Sequence, residues 1–319
     1  MSLIASPPEG PSSSLLGAVS AAPAIAAPRA TPHDVLSIAR ALIELTKPGV
    51  TRMVLATTWA GAVIAPGPIW NYGRLAWAMF GTALIVASAN ALNMFLEADV
   101  DALMKRTQNR PLPSGRLSPE TALWCGVSLA FIGIPVLDVF VNAATAFLGV
   151  MALLSYVLVY TPMKRMSSLA VWVGAIPGAA PPLMGWTAMT GTISWPALSL
   201  FALLFIWQVP HFHAIAIFRA DEYRRAGLQV LPNERGLAYT KRAIVALLVV
   251  QVAVSALPAL AGLGGKIYVA AAALLGAGNV AYAVYGLSPK AGARWARTLF
   301  FASLPYLLVL FAVLVAGAT

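Results

Sequence analysis

The sequence has 319 residues, of which 60% are hydrophobic and only 10% are charged. Soluble domains usually carry about 25% charged residues, and a chain of this size cannot bury so much apolar surface inside a globule. Together with a mean hydropathy of +0.79, this composition predicts a protein whose solvent is a lipid bilayer. Cys125 is the only cysteine, which excludes a disulfide framework and a thiolate metal site.

Residues 1–40 begin with a segment rich in proline, alanine and serine, which predicts a disordered cytoplasmic tail. The tail lacks the basic start of a secretory signal peptide, because no lysine or arginine precedes Arg29. A short amphipathic stretch from Val35 to Thr46 is expected at the membrane surface. We predict that the transmembrane domain covers residues 41–319.

Nine segments are predicted to cross the membrane, since a spanning helix needs about 20 mainly apolar residues. The predicted fold is therefore an all-α polytopic bundle of about nine transmembrane helices. The segments lie near Val50–Pro66, Leu75–Leu96, Pro119–Val139, Asn142–Thr161, Leu169–Met189, Trp195–Phe218, Ala243–Leu263, Ile267–Leu287 and Leu299–Ala316.

The basic residues fall almost entirely on one side of these segments. If the N-terminus is cytoplasmic, 19 of the 21 lysines and arginines lie in cytoplasmic segments, and only Arg74 and Lys266 lie outside. Cytoplasmic loops of membrane proteins carry an excess of lysine and arginine, so we predict a cytoplasmic N-terminus. The net charge of +10 then reflects membrane insertion, and no nucleic-acid partner is expected.

The first candidate site lies at the cytoplasmic end of the second segment. Asn93, Glu97 and Asp101 are spaced four residues apart, which places them on one helical face. Acids at the membrane are costly and usually functional. Aligned carboxylate and amide oxygens suit Mg²⁺, which usually binds through one or two carboxylates together with substrate phosphates.

A basic run follows at once, from Lys105 to Arg116, and contains Arg106 and Arg110. Lys164 and Arg165 add two more cations at the end of the fourth segment. Arginine forks bind phosphate oxygens well. These cations alone could be plain positive-inside anchors, but the neighbouring acids favour a site for a Mg²⁺–diphosphate.

The second candidate site lies at the end of the sixth segment. His211 and His213 follow Pro210 and are expected to point to opposite sides of a helix. Arg219, Asp221 and Glu222 follow in the next loop. A buried histidine is most often structural, so we expect one of the pair to be structural and the other to be a candidate haem ligand or acid–base group.

Taken together, these motifs resemble the UbiA-type intramembrane prenyltransferase superfamily. The resemblance rests on the strings Asn93…Glu97…Asp101, Asn109-Arg110-Pro-Leu-Pro-Ser114-Gly-Arg116 and Tyr160-Thr-Pro-Met-Lys164-Arg165. Within the superfamily, Trp207-Gln-Val-Pro-His211-Phe-His213 and the entrance Leu45-Thr-Lys47-Pro48 resemble the haem O synthases, or protohaem IX farnesyltransferases. The similarity runs from about Leu42 to the C-terminus.

The resemblance implies Mg²⁺-dependent transfer of the farnesyl group of farnesyl diphosphate to a vinyl group of haem b, giving haem O. It also implies a role for each candidate residue. The implied Mg²⁺ ligands and catalytic residues are Asn93, Glu97, Asp101 and Asp221, with Glu222 as a further catalytic acid. The implied diphosphate contacts are Arg106, Arg110, Lys164, Arg165 and Arg219, and the implied haem contacts are His211 and His213.

The sequence departs from the wider superfamily in two places. Met94 follows Asn93 where members commonly carry aspartate. The second motif of the superfamily commonly has two aspartates four residues apart; here Arg219 stands near the position of the first, and Asp221 and Glu222 stand near the position of the second. The tail lacks the Arg-rich amphipathic pattern of a mitochondrial transit peptide, which favours a bacterial inner membrane. The charge asymmetry predicts an active site facing the cytoplasm, and association with haem A synthase is a further expectation.

Three alternatives remain open from the sequence. A related prenyltransferase would act on a quinone precursor or another aromatic acceptor. A transporter would line an ion path with its acids, but a path should carry polar groups through the midplane, and here the acids collect at cytoplasmic helix ends. A structural subunit of a respiratory complex would need no catalytic acids.

Overall fold

The computed structural model describes residues 35–67 and 71–318, and within them the chain is helical with short connections. Residues 1–34 of the predicted tail lie outside the described residues. The amphipathic stretch predicted from Val35 to Thr46 forms the first helix. The helices of the N-terminal half are α1 (Val35–Leu45), α2 (Pro48–Ile64), α3 (Tyr72–Leu96), α4 (Ala98–Leu103), α5 (Pro119–Phe140) and α6 (Ala143–Leu154).

Helix α6 continues into a π-helical segment, Ser155–Tyr160, and then into the short α7 (Thr161–Met163). The chain therefore stays helical from Ala143 to Met163. The remaining helices are α8 (Ala170–Thr190), α9 (Trp195–Phe218), α10 (Ala220–Arg225), α11 (Leu231–Glu234), α12 (Leu237–Val254), α13 (Leu257–Leu260), α14 (Lys266–Tyr285) and α15 (Ala293–Ala318).

Helix α9 is at the centre of the bundle. It packs against α8, α12 and α15, and most of its side chains are buried. The Trp207 indole donates a hydrogen bond of 2.8 Å to the Ser303 carbonyl of α15, so polar contacts as well as apolar packing join the two helices. Because α9 is enclosed by other helices, its C-terminal end is well placed to form one wall of a site.

Helices α2 and α8 approach each other closely at two glycines. A Cβ added at Gly61 would lie 2.0 Å from the Pro182 carbonyl oxygen, and one added at Gly185 would lie 1.8 Å from the Thr58 carbonyl oxygen. Small residues let membrane helices bring their backbones together. These two glycines therefore set the distance between α2 and α8.

Within residues 35–67 and 71–318, seven helical segments are long and apolar enough to cross a membrane. They match seven of the nine predicted segments, and many large apolar side chains on them, such as Phe131 and Leu274, face outward. The other two predicted segments coincide with α2, which has 17 residues, and with α8, which contains three prolines. An all-α membrane fold is confirmed, whereas the count of nine and the cytoplasmic N-terminus stay predictions.

Candidate active site

A cavity of about 230 Å³ opens where the C-terminal ends of α3, the π-helical segment and α9 meet the loops that follow them. Its wall combines charged residues with aromatic and aliphatic residues. Among the side chains that line it are Lys47, Asn93, Glu97, Asp101, Arg106, Arg110, Tyr156, Tyr160, Lys164, Ser168, Phe212, His213, Tyr223, Leu228, Gln229, Val230 and Leu231.

The predicted alignment of Asn93, Glu97 and Asp101 is present in the structure. Helix α3 ends at Leu96, yet the amide of Glu97 donates to the Asn93 carbonyl at 3.0 Å, and the amide of Asp101 donates to the Glu97 carbonyl at 2.8 Å. Helical register thus continues across the junction into α4, and all three side chains line the cavity. They are 2%, 6% and 1% exposed, so the amide of Asn93 and the carboxylates of Glu97 and Asp101 are held away from bulk water.

Each member of this trio contacts a cation from a different part of the chain. The Lys47 ammonium donates to Asn93 Oδ1 at 3.0 Å, and the Lys164 ammonium forms an ion pair with Glu97 Oε1. Arg110 donates to both carboxylate oxygens of Asp101, at 2.8 and 2.7 Å. The cavity therefore brings together three oxygen-bearing side chains and three cations that can reach phosphate oxygens.

Lys47 stands between α1 and α2, and its side chain reaches the cavity. Burial, followed by the nearby positive charges of Arg110 and Lys164, lowers the pKa of Lys47 to about 7. An anionic ligand beside this ammonium would favour its charged form. Lys47 was absent from the residues proposed from sequence, although it lies in the Leu45-Thr-Lys47-Pro48 string.

Of the other predicted phosphate-binding residues, Arg106 lines the cavity and Arg165 does not. Arg165 points to the far side of its turn, where it donates to both carboxylate oxygens of Asp99 at 2.8 and 2.6 Å. Arg219 also lies off the cavity wall and pairs with Glu222 at 3.1 Å. In this conformation the neighbouring Lys164 and Arg165 thus have different partners and different exposure.

The second acidic group is placed differently from the first. Asp221 is exposed and pairs with Arg224 at 3.1 Å. Glu222 is buried and accepts hydrogen bonds from Arg219 and, at 3.4 Å, from the amide of Arg106. Neither carboxylate lines the cavity, whereas Tyr223 of the same short helix does.

The two histidines face opposite sides of α9, as their spacing predicted. His213 and its neighbour Phe212 line the cavity. His211 faces the C-terminal helices, where its Nδ1 lies 2.7 Å from the Ser303 hydroxyl and its ring stacks on Trp207 with ring centroids 4.6 Å apart. The geometry therefore separates a cavity histidine from a packed one.

The π-helical segment supplies two tyrosines that the sequence did not single out. Tyr156 and Tyr160 line the cavity with ring centroids 5.3 Å apart, and the Lys164 ammonium lies 4.7 Å from the Tyr160 ring. Short π-helical insertions often occur at functional sites. Tyr160 belongs to the Tyr160-Thr-Pro-Met-Lys164 string, but nothing in the residue pattern predicts the change of helical pitch.

The donor set fits Mg²⁺ that arrives with a phosphate ligand. Asn93, Glu97 and Asp101 offer amide and carboxylate oxygens in one buried patch, and Mg²⁺ needs only one or two carboxylates when phosphates and waters complete its shell. Within the described ranges, no group of three or more histidine, cysteine, aspartate or glutamate side chains is arranged to hold a metal by itself. The residues are therefore suited to a metal shared with a substrate.

Comparison of the sequence with known proteins finds a matching family and similar proteins. The sequence model of the UbiA prenyltransferase family matches residues 54–304. The protoheme IX farnesyltransferase of Sorangium cellulosum is 56% identical over 245 residues, which cover 77% of this chain and 88% of that protein. The protoheme IX farnesyltransferase of Myxococcus xanthus is 47% identical over 278 residues, covering 87% and 94%.

Solved structures share the fold at low sequence identity. A structure described as digeranylgeranylglyceryl phosphate synthase superposes with a TM-score of 0.75 at 17% identity, covering 88% of this chain and 98% of that one. A UbiA homolog from Archaeoglobus fulgidus bound to DMAPP and Mg²⁺ superposes with a TM-score of 0.61 at 16% identity, covering 85% and 99%.

Proposed function

Because this chain belongs to the UbiA prenyltransferase family and is therefore a membrane prenyltransferase, we propose that it transfers the farnesyl group of farnesyl diphosphate to a vinyl group of haem b. The observation that carries this proposal is the cavity lined together by four cations, by the oxygen-bearing side chains Asn93, Glu97 and Asp101, and by His213 and apolar residues. Curated relatives that cover most of the chain are named protoheme IX farnesyltransferases, which supports haem as the acceptor.

The diphosphate end of the donor would lie among the cations of the cavity. Lys47, Arg110 and Lys164 would turn from Asn93, Asp101 and Glu97 toward the phosphate oxygens, and Arg106 would add a fourth positive charge. Their charges stabilise the negative charge that develops on diphosphate as it leaves. Arg165 and Arg219, also predicted as phosphate contacts, would have to leave Asp99 and Glu222 first.

The ligands that would hold Mg²⁺ on the diphosphate are Asn93, Glu97 and Asp101. Asp221 pairs with Arg224 and would become a further ligand only if α10 moved toward the cavity. When bound, Mg²⁺ supplies Lewis-acid neutralisation of the phosphate oxygens. Glu222 would act indirectly, by fixing the backbone of Arg106 and the side chain of Arg219.

Cleavage of the C1–O bond of farnesyl diphosphate leaves an allylic cation beside the tyrosine rings of the π-helical segment. The π faces of Tyr156 and Tyr160 attract a cation, and the apolar wall excludes stray water. The terminal carbon of the haem vinyl group then bonds to C1. A water molecule adds its oxygen to the resulting cation next to the porphyrin ring and loses one proton, which gives the hydroxyethylfarnesyl group of haem O.

His213 would orient the haem, either at the iron or at a propionate, because its side chain lines the cavity next to Phe212. His211 would serve the packing of α9 against α15 through Ser303 and Trp207. We further propose that this site faces the cytoplasm of a bacterial inner membrane and that residues 1–40 form a tail outside the catalytic domain. Association with haem A synthase stays a prediction, for which co-purification from membranes is the direct test.

The test is to incubate the purified, detergent-solubilised protein with haem b and farnesyl diphosphate, with Mg²⁺ or with EDTA, and to measure haem O by mass spectrometry. Haem O that appears only with Mg²⁺ supports donor, acceptor and metal together. Product on a quinone precursor but not on haem would contradict the proposed acceptor. Glu97→Gln should lower turnover at least about a hundredfold, whereas Glu120→Gln, an exposed acid on α5, should not.

A further inference from the structure

The turn that carries Lys164 is fixed to the rest of the protein at both of its ends. It joins α7, which ends at Met163, to α8, which begins at Ala170. At its first end, Lys164 pairs with Glu97 and Arg165 pairs with Asp99. These contacts tie the turn to the junction of α3 and α4, and so to the predicted Mg²⁺ ligands.

The opposite side of the turn contacts residues 229–234, the segment that leads into and forms α11. The amide of Gln229 donates to the Lys164 carbonyl at 2.8 Å. The Glu234 carboxylate accepts two hydrogen bonds from Ser168, one from its backbone amide at 2.7 Å and one from its hydroxyl. Ser168 is 8% exposed and lines the cavity, so Glu234 fixes the inner face of the turn four residues beyond Lys164.

Glu234 belongs to a segment that is itself anchored. The preceding residue, Asn233, donates from Nδ2 to the Ala220 carbonyl at 3.0 Å and accepts from Arg224 at 3.1 Å. The Asn233 side chain therefore ties the segment that carries Glu234 to α10, while the Glu234 side chain stays largely exposed. An exposed residue with an engaged carboxylate can be replaced without opening a cavity in the core.

The turn determines where the Lys164 ammonium lies. Its ammonium lies beside Glu97 and 4.7 Å from the Tyr160 ring. A misplacement of about 1 Å in a group that contacts the reacting bond can cost about a hundredfold in rate. Hydrogen bonds to a charged carboxylate are about twice as strong as neutral ones, so the Glu234–Ser168 contact is a strong local constraint on the turn.

We propose that Glu234 is a positioning residue: through Ser168 it holds the turn at 164–169 so that Lys164 meets the diphosphate of the donor. This inference rests on the proposed function of the cavity as a diphosphate site. Glu234 touches neither substrate in this arrangement. Its effect should therefore fall on the binding and cleavage of the donor and should leave haem binding unchanged.

The test compares Glu234→Ala and Glu234→Gln with a control, Asp138→Asn. Asp138 is an exposed acid near the C-terminal end of α5 and does not line the cavity. Binding of inorganic pyrophosphate with Mg²⁺ is measured by calorimetry, and KM is measured for both substrates. We expect Glu234→Ala to weaken pyrophosphate binding about tenfold and to raise KM for farnesyl diphosphate about tenfold. KM for haem, the melting temperature and the control should match the wild type.

The conservative variant separates positioning from charge. Glutamine can still accept from the Ser168 amide and donate to its hydroxyl, so Glu234→Gln should recover most of the lost affinity. Ser168→Ala should have a smaller effect than Glu234→Ala, and combining the two should add little, because both remove the same contact.

Two results would overturn the proposal. One is wild-type pyrophosphate affinity in Glu234→Ala. The other is a lowered melting temperature with equal losses of haem and pyrophosphate binding, which would indicate a merely structural role. If the wild type makes no haem O but Glu234→Ala still weakens pyrophosphate binding, the proposed acceptor fails and the positioning role stands.

Discussion

A single guanidinium nitrogen of Arg110 donates to both carboxylate oxygens of Asp101, at 2.8 and 2.7 Å. The Asp101 side chain is 1% exposed, and that of Arg110 is 19% exposed. In the proposed function, a Mg²⁺ ion would use the same carboxylate oxygens. Metal binding and the Arg110 contact would then compete for Asp101, and a bound diphosphate would relieve this competition by offering Arg110 new acceptors.

Arg110→Lys should separate charge from geometry at this position. Lysine keeps the positive charge but has no planar fork for carboxylate or phosphate oxygens. We expect kcat/KM for farnesyl diphosphate to fall about tenfold, with protein still stable enough to purify. Arg116→Lys is the matched control, since Arg116 pairs with the exposed Glu44 away from the cavity. Equal rates for Arg110→Lys and wild type would contradict a direct role for Arg110.

The histidines provide a second prediction, because one faces the cavity and the other faces α15. His213→Ala should weaken haem binding, read from the Soret band, and should lower turnover at least tenfold or so. His211→Ala should leave the Soret band of bound haem unchanged and lower the melting temperature, because it removes the contact with Ser303 and the stacking on Trp207. The reverse pattern would assign the haem to the other side of α9.

Lys47 gives a third prediction, which the sequence alone did not suggest. Lys47→Met preserves much of the side-chain volume and removes the ammonium that contacts Asn93. If Lys47 turns to the diphosphate, inhibition by inorganic pyrophosphate should weaken about tenfold while KM for haem stays unchanged. Arg52→Met, at an exposed position one turn into α2, controls for loss of a positive charge outside the cavity. An unchanged pyrophosphate inhibition constant would remove Lys47 from the site.

The sequence predicted the first acidic cluster correctly because its geometry is local. A spacing of four residues places Asn93, Glu97 and Asp101 together as long as helical register continues, and hydrogen bonds across the α3–α4 junction maintain it. The opposite directions of His211 and His213 follow from the same helical geometry. Predictions that depend on one helix alone were therefore the dependable ones.

Contacts between distant segments could not be predicted in this way. Lys47 contacts Asn93, which is 46 residues away in the sequence. The consecutive residues Lys164 and Arg165 pair with different acids, Glu97 and Asp99. Asp221 and Glu222 are adjacent, but α10 is a short helix whose orientation depends on tertiary packing, so one faces solvent and the other is buried. No residue pattern marks the π-helical segment that brings Tyr156 and Tyr160 to the cavity.

Gly185 provides a prediction about the fold itself. A methyl group at this position would lie 1.8 Å from the Thr58 carbonyl oxygen and 2.8 Å from the Ala62 amide nitrogen. Backbone atoms of α2 cannot move aside as a side chain can, so α2 and α8 would have to separate. We expect Gly185→Ala to lower the apparent melting temperature in detergent by several degrees, in the range of overpacked cores that lose about 1–3 kcal/mol.

Gly278 in α14 is the matched control for this substitution. A Cβ added there has nothing within 4 Å among the described residues, and alanine is the better helix former by up to about 1 kcal/mol. Gly278→Ala should therefore leave the melting temperature unchanged or raise it. If both variants melt like the wild type, α2 and α8 do not approach as closely as described. If only Gly185→Ala is destabilised, the backbones of α2 and α8 lie too close at this point to admit a methyl group, because the same added group is harmless where space is free.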